Sequence, residues 1–261
     1  MNIRLLSYNV HKGIGGVDRK YHPQRIIDVI RSLNPDIVFL QEVDNGVARS
    51  QHHRQVDLFA DGCGIPYRAY QGNVRVKAGE YGNAILSRFR LQGIHHLDLT
   101  LRYRKNRRAL IATCELDNLS CTNLLLANCH LGLAEYERRR QIQSIVTHLS
   151  QVRPLSAVVV GGDLNDVWSS LERRILEPQG FVSAAPRAAT FPAIRPLRTL
   201  DKLFVRGNIE VNNTFVGHSD LARVASDHLP IVADLTVADP TSANESLPTV
   251  AAAINHKGAL G

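Results

Sequence analysis

The chain moves between two hydrophobic rhythms. Residues 3–10 (IRLLSYNV) read as a strand, and residues 37–41 (IVFLQ) form an apolar run suited to a central strand buried on both faces. Between them Ile26, Ile27, Ile30 and Leu33 recur at helical spacing, which predicts a helix over 23–33 with Pro23 in its first turn. A second helix is expected at 56–63, followed by short strands near 67–72, 83–87, 91–97, 109–116 and 124–129. A long helix at 135–152 carries Ile142, Ile145, Val146 and Leu149 as its apolar stripe. Strands follow at 157–160, 200–205 and 230–235. Many strands and few helices, interleaved in both halves, predict two packed sheets with helices outside. Residues 238–261 are rich in small side chains and lack periodicity, so we expect a domain over 1–237 and a disordered tail over 238–261.

One arrangement within this pattern occurs twice. Asn9-x-His11-x-Gly13 precedes a helix, an apolar strand and Glu42, and Asn128-x-His130-x-Gly132 precedes a helix, an apolar strand and Asp163. The asparagine lies 33 residues before the acid in one copy and 35 in the other. Such spacing suggests a duplicated half-fold whose carboxylates meet in one cleft. Converging carboxylates, amides and imidazoles are what a hard divalent cation and a phosphate require.

Composition narrows the class. A chain of 261 residues can bury one large core, and 44% hydrophobic with 21% charged residues is ordinary for a soluble globular protein. No apolar run has the length to cross a bilayer, and MNIRLLSYNV enters a strand without a signal-peptide pattern, so a cytoplasmic location is expected. The four cysteines (Cys63, Cys114, Cys121, Cys129) show no metal or disulfide spacing; Cys114 and Cys121 flank a turn, but buried thiols are the simpler reading. The net charge of +7 points toward polyanions, with the excess at Arg102, Arg104, Lys105, Arg107 and Arg108 and again at Arg138, Arg139 and Arg140. These read equally as solvated faces or as an anionic track, to which Tyr103 adds a stacking surface.

The acids stand where acids are costly. Glu42 and Asp163 each follow an apolar strand, and Asp201 lies in the strand pattern TLDKLFV; a buried carboxylate there needs a partner or a metal. Asn165 adds an amide beside Asp163 in GGDLND, although GGD and ND also make ordinary tight turns. Ser226-Asp227-His228 opens the last strand, and an adjacent Asp-His pair can divide cation binding from proton handling. A carboxylate such as Asp201 fixes the tautomer of a histidine and stabilises its charged form.

Taken together and in order, SYNVHKG, PDIVFLQEVD, YGNAILSR, NCHLG, GGDLND, TLDKLFV and SDHLP make the chain resemble the endonuclease/exonuclease/phosphatase superfamily of metal-dependent phosphohydrolases over about residues 2–237. The resemblance implies an α+β fold of the DNase I-like kind, a four-layer α/β/β/α sandwich of two mixed sheets flanked by helices, with the active site at one edge. It implies Glu42 as principal Mg2+ ligand, assisted by Asn9 and Asp227, with Mn2+ as a substitute. Asp163 and Asn165 would orient the attacking water and hold the scissile phosphate, or bind a second metal. His228, paired with Asp201, would be the general base or a charge stabiliser, and His130 would bind a phosphate oxygen or help the leaving group. Asn83 is a substrate contact or a backbone-satisfying amide, and Lys202 would help hold an anionic substrate. His11 reads more simply as a packing or turn residue than as a substrate contact, and Trp168 as a core residue rather than a cleft rim.

Departures from the pattern narrow the branch. The chain has Thr199-Leu200-Asp201-Lys202 where inositol-polyphosphate 5-phosphatases carry aromatic-Cys-Asp-Arg. It has His130 and Tyr8-Asn9 where abasic-site endonucleases usually have Tyr and Trp-Asn. Compact bacterial-type hydrolases of the sphingomyelinase and general phosphodiesterase side remain. The expectation is a monomeric Mg2+-dependent phosphoesterase acting on a phosphodiester, either nucleic acid or a phospholipid or small diester, with peripheral membrane contact as one consequence. A phosphomonoesterase on the same site is the alternative. A non-catalytic polyanion-binding module is disfavoured because every acid, amide and imidazole of the site is present.

Overall fold

The computed structural model describes residues 1–117, 122–152 and 157–238. Its strands are β1 (Asn2–Asn9), β2 (Ile37–Asn45), β3 (Tyr67–Val76), β4 (Gly79–Ser87), β5 (Arg90–Asp98), β6 (Arg108–Asp117), β7 (Thr122–His130), β8 (Ala157–Asp163), β9 (Val182–Ser183), β10 (Asp201–Arg206), β11 (Ile209–Val216) and β12 (Ile231–Val237). The helices are α1 (Pro23–Leu33), α2 (Gln55–Cys63), α3 (Glu135–Val152) and α4 (Asp220–Ala225). Two six-stranded mixed sheets result, ordered β11-β12-β1-β2-β4-β3 and β5-β6-β7-β8-β10-β9. With helices on their outer faces they make the expected four-layer sandwich.

Side-chain alternation builds the layers. In β8, Val158 and Val160 pack outward with Ile142, Ile145, Val146 and Leu149 of α3, while Val159 joins the core that includes the first sheet. A strand sandwiched this way is buried on both faces, which is why it reads as an uninterrupted apolar run. On the opposite side Ile26, Ile27 and Ile30 of α1 and Val56 and Phe59 of α2 cover the first sheet. Each such side chain contributes about 1.5–3 kcal/mol on burial. The helix α1 starts with Pro23 and stops at Asn34, whose left-handed backbone (φ 46°) lets its N–H close on Ile30 and Arg31 before Pro35. Val29, not marked by the sequence pattern, is also buried, whereas Leu33 is half-buried.

The sequence repeat is a structural repeat. β1-α1-β2 and β7-α3-β8 are each a parallel pair joined by a helix, one in each sheet. Residues 118–121 and 239–261 lie outside the described set, and with them Cys121 and the expected tail. Cys63, Cys114 and Cys129 are free, and the last two are buried. The pattern missed β9, β11 and α4, whose segments are short or mostly polar. No helix among the described residues is long and apolar enough to cross a membrane.

Candidate active site

The two parallel units end at the same edge of the sandwich. Antiparallel β10 begins there with Asp201 opposite Asp163, and the 226–228 segment enters there ahead of β12, which runs antiparallel to β1. Each unit reaches across the gap. Asn9 Nδ2 donates to Asp163 Oδ2 at 3.0 Å, and Asn128 Nδ2 donates to the carbonyls of Leu40 and Ala84 at 2.9 and 2.8 Å. Gln41 Nε2 closes the second tie on Asn128 Oδ1 at 2.8 Å. The two asparagines of the repeat thus pin the sheets together, and one of them lies directly on a site acid.

Backbone geometry aims the acids. Glu42 sits at a register shift of the β2–β4 ladder with φ 58°, a bulge that frees its side chain from the strand alternation. A non-glycine residue held there costs about 1–3 kcal/mol, tolerated only where its surroundings over-determine it. Asn165 (φ 53°) and His11 and Lys12 (φ 44° and 63°) share that conformation. Gly162 beside Asp163 has φ 127°, and a Cβ there would meet the Cys129 carbonyl at 2.0 Å, so β7 and β8 close only with glycine.

Asp163 stands at the centre. Its Oδ2 lies 3.4 Å from His130 Nε2 and 3.8 Å from His228 Nε2, and its Oδ1 accepts from the Asn165 backbone N–H at 3.1 Å. Burial raises its pKa to about 7, with Asp201 and Glu42 adding to the rise and His228 and Asn9 opposing it. His228 Nδ1 meets Asp201 Oδ2 at 2.9 Å, and the same oxygen accepts from Thr190 Oγ at 2.5 Å. Burial alone would keep this imidazole neutral, but the charge and hydrogen bond of Asp201 outweigh it and raise the His228 pKa to about 10. His130 goes the other way: burial, reinforced by Arg107, holds it well below the usual histidine range. Its Nδ1 lies 3.9 Å from Glu42 Oε1, so the ring spans the two acids of the repeat.

Glu42 faces cations. Burial would raise its pKa, yet His130, Lys12 and His11 act to hold it below the usual carboxylate range; with His130 neutral the standing cation is Lys12, whose Nζ bonds Glu42 Oε2. Of its two expected companions, Asn9 Oδ1 accepts from the His11 N–H at 3.1 Å, and Asp227 Oδ1 is buried without a hydrogen-bond partner among the described residues, 3.8 Å from His11 Nδ1. An ionised glutamate, an orphaned aspartate oxygen and an amide oxygen fit a hard divalent cation. Asp163, Asp201 and His228 also bring one ligand atom each within 4.8 Å of one another. Asp201 Oδ2 is committed there to His228 and Thr190, while Asp201 Oδ1 is buried without a hydrogen-bond partner among the described residues.

Other expected residues fall less centrally. Asn165 Nδ2 donates to the Leu131 carbonyl at 3.0 Å, and Asn83 Nδ2 to the Arg108 carbonyl at 3.1 Å, while Asn83 Oδ1 is buried and unpartnered. Lys202, one residue along β10 from Asp201, donates from Nζ to Ser169 Oγ at 3.0 Å in a polar cavity of about 460 Å³ that Trp168, Glu172 and Arg187 also line. Trp168 is 80% exposed, so the expected core role is wrong. Arg138 is buried against the Leu133 carbonyl, which leaves Arg139 and Arg140 as the exposed pair of that run. His53 bonds the Tyr21 hydroxyl at 2.9 Å.

Three residues gain a place at the site only with the structure. Arg107 is 5% exposed, and burial lowers its pKa against the fields of Asp163, Tyr81 and Glu42, which favour the charge; its Nε has no partner. A buried guanidinium that forms no ion pair among the described residues can donate to a phosphate oxygen. In the sequence its basic neighbours conceal it. Lys12 lies inside the first repeat but carries no pattern of its own. Thr190 lies in a segment (AATFP) without motif character, and its loop is fixed to the site by Leu229 N–H to the Thr190 carbonyl and Ala193 N–H to the Asp227 carbonyl.

A cross-sheet cluster of carboxylates, amides and imidazoles at one edge of a four-layer sandwich defines a phosphoester hydrolase. The model of the Endonuclease/Exonuclease/phosphatase family matches residues 6–228, and the chain belongs to that family, whose members hydrolyse phosphoesters. The chain is 28% identical over 249 residues to the uncharacterized protein YbhP of Escherichia coli (strain K12), covering 90% of this chain and 96% of that protein. The fold is shared with an endonuclease/exonuclease/phosphatase from Beutenbergia cavernae (TM-score 0.77, 22% identity, 90% of this chain and 72% of that one). It is also shared with D. rerio TDP2 complexed with a single-strand DNA product (TM-score 0.69, 18% identity, 90% and 99% covered).

Proposed function

We propose that this protein is a divalent-metal-dependent phosphodiesterase in which Asp163 activates the attacking water. The observation that supports this most directly is the pairing of acidities at one point. Asp163 is held near neutrality while His228, 3.8 Å away, is held charged by Asp201. A base works best when its pKa lies near the working pH, and an imidazolium is a ready donor to a developing phosphoryl charge. His130 stays neutral and offers a hydrogen bond to a phosphate oxygen, and Arg107 neutralises a second one. Glu42, Asn9 and Asp227 would hold Mg2+ or Mn2+, which supplies Lewis-acid stabilisation of the phosphate when bound.

Two exposed aromatic rings favour nucleic acid among the phosphodiesters. Tyr103 is 86% exposed with the Arg102 guanidinium 4.6 Å from its ring centre, and Trp168 follows Asp163 by five residues. Aromatic faces beside cations stack bases without sequence preference. A structural neighbour, TDP2, was solved with single-strand DNA product, which supports the same choice.

The test is a substrate panel of single-stranded and plasmid DNA, RNA, sphingomyelin, phosphatidylglycerol, bis-p-nitrophenyl phosphate and a phosphomonoester. Metal-dependent cleavage of the nucleic acids is expected, with losses of at least ~10²-fold in Glu42→Ala and His228→Ala. Activity that survives EDTA or either substitution refutes the mechanism. Turnover confined to the monoester replaces the diesterase reading.

A further inference from the structure

We propose that Lys12 is a built-in counter-ion of Glu42 which a divalent metal displaces, so that metal binding hands the Lys12 ammonium to the substrate phosphate. This rests on the reading of Glu42 as a metal ligand. The Lys12 ammonium bonds Glu42 Oε2, and the two side chains are only 16% and 18% exposed. A dication held by the same carboxylate would meet the ammonium on Oε2 in an enclosed place, where the two charges repel at close range with little water between them.

The side chain, not the loop, has the freedom to go. The Lys12 backbone is fixed by Gln55 Nε2 donating to its carbonyl at 2.7 Å and by the Gly13 N–H on the Val10 carbonyl at 2.8 Å. The four-carbon stem above it carries a compact charge with rotatable donors. A destination exists beside it. Lys12 Nζ lies 5.5 Å from the Tyr81 ring centre, and Lys105 Nζ lies 5.2 Å from the same centre. Arg49, also over Tyr81, is engaged by Asp44 at 2.7 and 2.9 Å. Lys105 has no ion-pair partner among the described residues. Once released from Glu42, Lys12 still has the Tyr81 ring beside it, and Lys105 on the same ring adds a second ammonium for an incoming anion. Metal and phosphate binding are then coupled through Lys12: the metal frees it, and the anion keeps it off Glu42.

The experiment measures Mn2+ affinity of the full chain by calorimetry and by the spin-resonance signal of free Mn2+, with and without inorganic phosphate. Without phosphate, Lys12→Met binds Mn2+ about tenfold or more tightly than wild type, while Lys12→Arg, which keeps the charge, does not. Phosphate raises wild-type Mn2+ affinity more than that of Lys12→Met. Lys105→Met, which removes a cation not bonded to Glu42, changes the metal affinity less than threefold by the same reasoning, or about 0.6 kcal/mol at most. A gain in Lys105→Met equal to that in Lys12→Met shows a general field effect and overturns displacement, as does an unchanged or weaker affinity in folded Lys12→Met. Glu42→Gln separates the two readings. Intact Mn2+ binding in that variant removes Glu42 as a ligand, whereas lost binding there with no gain in Lys12→Met leaves the ligand and refutes the latch.

Discussion

Asp201→Asn is the sharpest probe of the site, because the replacement keeps shape and removes only charge. In the folded protein His228 titrates near 10, against roughly 6.5 for a free histidine. At about 1.4 kcal/mol per unit this difference is worth roughly 5 kcal/mol, of which Asp201 is the leading source and Asp163 and Asp227 supply a part; ~3–5 kcal/mol is the usual loss when one partner of a buried ion pair is removed. A raised pKa stabilises fully below the unfolded value and is lost as pH climbs toward the folded one. The contribution is therefore near 5 kcal/mol at about pH 6 and only about 2 kcal/mol at about pH 8.5. Loss of the Asp201 charge also relieves Asp163, whose pKa burial, Asp201 and Glu42 raise, and this trims the deficit further above neutrality. Urea unfolding of wild type and variant across this range checks the slope. Far-UV circular dichroism is the better signal, since the single tryptophan is exposed in the folded state. A deficit below about 1 kcal/mol, or one that does not shrink with pH, would refute the assignment of His228 as an imidazolium fixed by Asp201.

Other substitutions separate chemistry from scaffold. Arg107→Met should lower kcat/KM by about tenfold or more while leaving urea stability equal or higher, since an unpaired buried guanidinium serves binding rather than folding; a large stability loss with normal kinetics would contradict this. Lys202→Met, which removes the ammonium bonded to Ser169, should change turnover of bis-p-nitrophenyl phosphate less than about threefold, and a loss on the scale of Glu42→Ala would place it at the phosphate site. Trp168→Ala should shift stability by no more than about 0.5 kcal/mol, as for a surface substitution, whereas a deficit of about 3 kcal/mol or more would mean a buried ring. The same variant should weaken single-stranded DNA binding, measured by fluorescence anisotropy of a labelled strand; unchanged binding removes the stacking role.

Much of the candidate site could be proposed before any coordinates. Asn9, Glu42, His130, Asp163, Asp201 and His228 stand beside apolar runs, where a polar group is too costly to be incidental, and the repeat told which runs belong together. Asn128 was legible as a repeat position but not as a cross-sheet tie, because its partners are carbonyls 88 and 44 residues away. Trp168 misled because a lone tryptophan usually finds a core, and here the chain turns it outward after GGDLND.

The sequence by itself determined the elements that bury two faces or one stripe, the doubled strand-helix-strand order, and the family. Those follow from local periodicity and ordered motifs, which need no partner to be recognised. The tertiary structure decided which acids meet, which imidazole is charged and which is neutral, and which of five neighbouring cations is buried at the site. Acidity and charge are set by burial and by groups far away in the chain, so they exist only once the two sheets have closed on each other.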